Sequence, residues 1–210
     1  MRSFGPESVP WWIAGNSLGG LLALQVACRA PTRVERITLA ALALPLHWGR
    51  RRVRLGAARN YIALAAPGVG RRLIARYVRE TGVPGVVDDP IRMLFHDPAR
   101  LDSAFRQRLI EVSERRMSWV EEAARAYEHS TLSLGLRLVS PVGAVRWIRG
   151  VRCPVRSIRG SHDPLYPQAA WERLEGLRPD WDHVCLDGVG HVPQLEVPER
   201  FAERMIREIG

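Results

Sequence analysis

The chain has 210 residues, 46% of them hydrophobic and 25% charged, which suffices for one sizeable core with a subdomain set into it. Its formal charge of +9 is carried by arginine alone, without helix-turn-helix spacing, a zinc knuckle or an aromatic-rich single-strand motif, so the charge is read as compositional bias and specific nucleic-acid binding is not expected. No apolar run reaches the roughly 20 residues needed to span a bilayer.

Residues Met1 to Pro10 hold Gly5, Pro6 and Pro10, show no periodicity and read as a lead-in. Trp11 to Ala14 is an apolar strand, and a helix from Leu18 to about Arg29 follows at once, so Ser17 sits where a strand turns sharply into a helix. Gly15-Asn16-Ser17-Leu18-Gly19 fits the Gly-x-Ser-x-Gly pattern in the context that pattern requires. A nucleophile at the tip of such a turn has strained backbone angles; Gly15 and Gly19 are expected to supply the missing bulk, and Gly20 close packing. The turn also puts the Leu18 N–H at the amino end of a helix, where it can meet a developing oxyanion. Arg2 and the apolar stretch up to Ala27 imitate a leader peptide, but the Gly-rich turn interrupts the run. The helix is apolar nearly all round, which predicts burial on several sides, and Pro31 stops it. Val34 to Ala43 then reads as a second buried strand, completing a right-handed parallel strand-helix-strand unit.

From about Leu46 to Val145 strand signals vanish, and helix-period patterns separated by Gly and Pro replace them. Pieces lie around Arg51 to Ala65, Arg71 to Arg79 and Trp119 to Leu138. The clearest begins at Asp97-Pro98, read as an N-cap and first-turn proline, with Leu101, Phe105, Leu109 and Val112 on one face. The expected organisation is therefore a core of residues 1–45 and 146–210 with an all-helical cap, 46–145, inserted into it. Between Gly49 and Arg79 there are nine arginines and no acidic residue. They are read as the solvated face of amphipathic helices, with docking of an acidic substrate or partner as the alternative.

Strand signals return at Pro154 to Arg159, followed by Gly160-Ser161-His162-Asp163-Pro164. A helix from Pro167 to Leu177, a strand at His183 to Leu186 and a turn at Asp187 to Gly190 present His191. A last helix begins at Pro198 and is faced by Phe201, Met205, Ile206 and Ile209. Cys28, Cys153 and Cys185 are odd in number, far apart and set in apolar surroundings, and read as reduced core residues of a cytoplasmic protein. His47, His96, His129 and His183 show no ligand spacing, so no metal is expected.

Ser17, Asp163 and His191 all fall at carboxyl ends of predicted strands, and in a parallel sheet those ends share one edge. Three stretches carry a resemblance: Gly15-Asn16-Ser17-Leu18-Gly19-Gly20, Gly160-Ser161-His162-Asp163-Pro164-Leu165-Tyr166-Pro167, and Gly188-Val189-Gly190-His191-Val192-Pro193-Gln194-Leu195-Glu196-x-Pro198-Glu199. Together they resemble the carboxyl-terminal part of an α/β-hydrolase fold enzyme. The resemblance implies an α/β fold, a mostly parallel sheet of about four strands with an inserted helical cap. It implies Ser17 as nucleophile, His191 as general base and Asp163 as the group that orients the imidazole, with no cofactor. Serine rather than aspartate at the turn argues against epoxide hydrolases and dehalogenases and leaves a small-molecule ester, thioester or carbon-carbon bond as substrate. The family's early strands, and the His-Gly turn that gives a second oxyanion donor, have no counterpart here; loss of such a donor costs on the order of a hundred- to thousandfold in rate. The strand at Trp11 to Ala14, central in the family, is therefore expected at an open edge, where self-association can begin. Two other readings stand beside the hydrolase: a catalytically impaired hydrolase-like protein, and an arginine-rich binder of an acidic partner.

Overall fold

The computed structural model describes residues 9–45, 48, 63–64, 66–139 and 142–207. β1 (Trp11–Asn16), α1 (Leu18–Arg29) and β2 (Val34–Ala40) form the first unit, with the chain turning through a short helical turn at Pro31–Arg33. β3 (Val155–Gly160), α6 (Gln168–Leu177), β4 (Asp182–Leu186), α7 (Pro193–Glu196) and α8 (Pro198–Ile206) form the last. Between them lie α2 (Val69–Leu94), α3 (Ser103–Arg116), α4 (Val120–Val139) and α5 (Gly143–Gly150). The four described strands pair in the order β1-β2-β3-β4 and every pair is parallel. This is the expected α/β architecture with a helical insertion. The predicted piece at Arg51 to Ala65 falls almost wholly outside the described residues.

The two inner strands, β2 and β3, are mostly buried and send apolar side chains to both faces of the sheet, whereas β1 and β4 are only partly covered. Ile37 and Leu39 of β2 and Val155 of β3 meet Leu21, Leu24 and Ala27 of α1 and Ala170, Trp171 and Leu174 of α6 on one side. The residues of opposite parity, Ala40 and Ile158, meet Leu186, Val189, Val197 and Phe201 on the other.

Several local expectations change. Of the apolar residues expected to bury α1 on several sides, Leu21, Leu24 and Ala27 are buried, whereas Leu22 and Val26 are 47% and 37% exposed. β2 ends at Ala40 because Ala41 takes a φ of 44°, which turns the chain while Ala41 N–H still donates to Ile158 O at 2.8 Å. Asp97 caps only the short turn Pro98–Arg100, and the long helix after it starts from Asp102, whose carboxylate accepts from Phe105 N at 2.7 Å. Residues 71–79 lie inside the much longer α2, which is broken at Gly82, where φ is 65° and ψ −179°. In α8 Phe201 is buried, whereas Ile206 is 67% exposed and Ile209 falls outside the described residues. Cys28 and Cys153 are half-buried and burial pushes both thiols up, but Cys185 is exposed and is no core residue.

Candidate active site

β1 delivers Ser17 to the carboxyl edge of the sheet. Its φ of 51° and ψ of −115° lie in a region that L-residues other than glycine rarely adopt. Three backbone bonds impose it: Ser17 N–H donates to Ala40 O at 2.9 Å, and Ser17 O accepts from Gly20 N at 3.0 Å and Ala43 N at 3.2 Å. The turn closes so tightly that a Cβ on Gly15 would overlap the Gly19 carbonyl and lie 2.6 Å from Gly20 N. Gly19 differs from the expectation: a Cβ there would meet nothing within 4 Å, so Gly15 carries the steric demand of the turn, while Gly20 packs closely as expected, a Cβ there lying 2.9 Å from Leu42 Cδ1. Leu18 opens α1, and its N–H is one of those that no carbonyl within the helix takes.

Asp163 and His191 follow two other strands. Asp163 follows β3, and its Oδ2 lies 2.8 Å from His191 Nδ1; the two side chains are 1% and 4% exposed. The other carboxylate oxygen accepts from Leu165 N at 2.8 Å and Tyr166 N at 3.3 Å, so the buried acid has no idle oxygen. With Nδ1 engaged, Nε2 is the nitrogen left for chemistry. The Tyr166 ring lies 6.1 Å from the imidazole, centroid to centroid. The neighbouring His162 takes no part in this pair: its Nδ1 is 2.8 Å from Ser161 Oγ and its ring stacks 4.0 Å from that of His96.

Asn16, expected only as a member of the turn, ties the serine and histidine segments together. Its Nδ2 donates to Ala40 O at 3.0 Å and to His191 O at 3.3 Å. Glu196 is a residue whose role sequence reasoning missed, although it stands five positions after His191 within the third motif. Its side chain is 0% exposed and accepts from Gly190 N at 2.7 Å, Asp97 N at 2.9 Å and His96 N at 3.2 Å, with Arg100 Nη1 at 3.4 Å. His191 N–H in turn donates to Leu94 O at 2.8 Å, and a Cβ on Gly190 would overlap that same carbonyl. The end of α2 is thereby moulded onto the histidine turn.

Among the described residues no three His, Cys, Asp or Glu side chains are grouped to hold a metal ion, and no helix is long and apolar enough to cross a membrane. An apolar cavity of about 610 Å³ opens along α2 and is lined by Leu73, Tyr77, Val86, Pro90, Met93 and Tyr127 among others.

The sequence of the alpha/beta hydrolase family matches residues 2–204 of the chain. A pimeloyl-[acyl-carrier protein] methyl ester esterase of Aromatoleum aromaticum is 33% identical over 196 residues, covering 90% of this chain and 70% of that protein. A second esterase of the same name, from Nitrosospira multiformis, is 25% identical, covering 93% and 66%. Among solved structures, the 2-hydroxy-6-oxo-6-phenylhexa-2,4-dienoate hydrolase of Rhodococcus sp. RHA1 superposes with a TM-score of 0.61 at 22% identity, covering 94% of this chain and 63% of that one. A thermophilic esterase of Thermogutta terrifontis gives 0.56 at 21% identity, covering 94% and 64%. The chain thus spans somewhat under two thirds of the length of these structures.

Proposed function

The chain belongs to the alpha/beta hydrolase family, and from that premise we propose that it is a serine esterase in which Ser17, His191 and Asp163 act as nucleophile, general base and orienting acid. The observation that carries the reading is the Asp163–His191 pair, 2.8 Å apart and almost wholly buried, on the same sheet edge as a serine with left-handed backbone angles. A histidine so held presents one tautomer, with Nε2 unprotonated and ready to accept.

In the proposed cycle Nε2 takes the Ser17 hydroxyl proton as Oγ bonds to the ester carbonyl carbon. The resulting oxyanion is met by the Leu18 N–H at the start of α1. The C–O bond to the alcohol then breaks, and His191 gives its proton to the departing oxygen. Water, deprotonated by the same nitrogen, cleaves the acyl-serine and restores the hydroxyl. Asp163 stays ionised throughout and stabilises the imidazolium formed in each half.

An ester is favoured over a thioester or a carbon-carbon bond because both curated relatives are named as methyl ester esterases. The likeness to a dienoate hydrolase is one of fold alone. The finer reading is an acyl methyl ester presented on a carrier, with the segment 46–145, whose described helices are α2, α3, α4 and the start of α5, acting as a cap over the substrate. Nitrophenyl ester hydrolysis and fluorophosphonate labelling test the nucleophile. Ser17→Ala is expected to abolish labelling and lower kcat about a thousandfold or more; turnover unaffected by that change sinks the proposal. A pimeloyl methyl ester on carrier protein, compared with the free methyl ester, tests the finer reading, which fails if the carrier confers no advantage in kcat/KM.

A further inference from the structure

The Glu196 side chain is a buried carboxylate with four donors and no water-facing surface. Oε2 accepts from Gly190 N and His96 N, while Oε1 accepts from Asp97 N and lies near Arg100 Nη1. Such a charge is tolerable in the interior only when donors replace its hydration, and here three of them are backbone N–H groups from two separate segments. One is the turn that presents His191; the other is the corner after α2, residues 95–97. The same corner sends Leu94 O to His191 N at 2.8 Å, so the histidine backbone is gripped through its own N–H and through that of the residue before it.

We propose that Glu196 is a positioning residue for the general base: by clasping the Gly190 N–H and the His96 and Asp97 N–H groups together, it fixes where His191 stands and couples that position to the end of α2. The inference rests on the reading of His191 as the base. Proton transfer to a nitrogen is steep in distance and angle, and a displacement of about 1 Å costs on the order of a hundredfold in rate. A clasp on the preceding peptide is therefore felt in the chemical step rather than in substrate binding.

Glu196→Gln keeps the volume, but whichever way the amide turns, its NH2 faces two of the four donors. The expected result is a kcat lowered ~10- to 100-fold with KM within twofold of wild type, in a protein whose far-UV circular dichroism is unchanged. In proton NMR spectra of the wild type, the His191 Nδ1–H shared with Asp163 is expected as a downfield signal, assigned by its absence from His191→Ala. In Glu196→Gln that signal is expected to broaden or vanish. A raised KM at unchanged kcat would show that Glu196 merely shapes the cap, and unchanged kcat with a retained signal would overturn the proposal outright. Should Glu196→Gln fail to fold, Arg100→Ala decides. It removes a 35% exposed guanidinium that also bonds Gly188 O at 2.5 Å, and is expected to lower kcat ~3-fold or more at constant KM; no effect counts against the clasp. Activity retained in Ser17→Ala overturns the underlying reading of the site. Inactivity of Ser17→Ala beside a fully active Glu196→Gln overturns only the role given to Glu196.

Discussion

Ser17 is held at φ 51° by its N–H donating to Ala40 O and its carbonyl accepting from Gly20 N and Ala43 N, and that conformation exists only because Gly15 lets the backbone of residues 19 and 20 fold back against it. Two substitutions separate this demand from the mere presence of a glycine motif. Gly15→Ala is expected to lower unfolding stability by ~1–3 kcal/mol, the usual cost of forcing a methyl into filled space, and to slow fluorophosphonate labelling of Ser17. Gly19→Ala, pointing into open space at a helical position, is expected to be neutral or slightly stabilising. Denaturant midpoints for the pair check this; equal losses would mean that the turn is not closed as described. The motif was legible at Ser17, Asp163 and His191 because each lies in a short stretch whose glycines, proline or strand end announce it. The distinction between Gly15 and Gly19 was not, since the pattern is symmetric about the serine and only the path of the chain shows which side is crowded.

At the scale of elements, α1, β3 and α6 follow closely from periodicity and their flanking Pro and Gly residues, whereas the ends of α2 do not. Its amino end is served by Glu128, a buried residue of α4 that accepts from Gly68 N at 2.9 Å and Arg71 N at 2.7 Å. Some sixty residues separate donor from acceptor, so no local pattern could reveal this cap; Gly68, with φ 77°, is only the residue where the helix begins. The Arg71 N–H, followed by that of Gly68, holds the Glu128 carboxyl below the ordinary glutamate range. A depressed acid stabilises the folded chain fully above its unfolded pKa, about 4.3, and loses that contribution as pH falls through the lower folded value. Glu128→Gln is therefore expected to lower Tm by ~2–4 °C at pH 7. The gap should narrow as pH drops below about 4. A gap of the same size at pH 7 and in acid would show that the carboxylate charge has no part in the cap. The Asp88–Arg106 pair, 2.6 Å apart between α2 and α3, holds Asp88 low in the same sense, so acid is expected to weaken the insertion at two places.

For the whole molecule, the decisive feature is that β1 is an outer strand of the described sheet. In a parallel ladder alternate residues turn both backbone groups to the same neighbour. Ser17 N–H reaches Ala40 O in β2, and the register pairs Ile13 with Ile37 and Gly15 with Leu39, so the N–H and C=O groups of Trp12 and Ala14 are turned to the open side. Arg36 stacks 3.8 Å from the Trp12 ring and Arg33 4.7 Å from that of Trp11, which covers the faces of these rings, while among the described strands none pairs with the outer backbone edge of β1. An apolar edge without lysine, proline or a bulge at its centre favours strand addition. The 210-residue chain is accordingly expected to self-associate as its concentration rises, seen as a growing mass in light scattering coupled to size exclusion. Ala14→Pro removes one outward N–H without touching the bonds to β2, and proline is tolerated on an edge for that reason. It should shift the chain toward the monomer while preserving far-UV circular dichroism. A wild type that stays monomeric at high concentration, or an Ala14→Pro variant that associates just as strongly, would place the contact elsewhere. The arginine-bearing insertion would then be the surface to examine, and a salt-dependent mass would identify it.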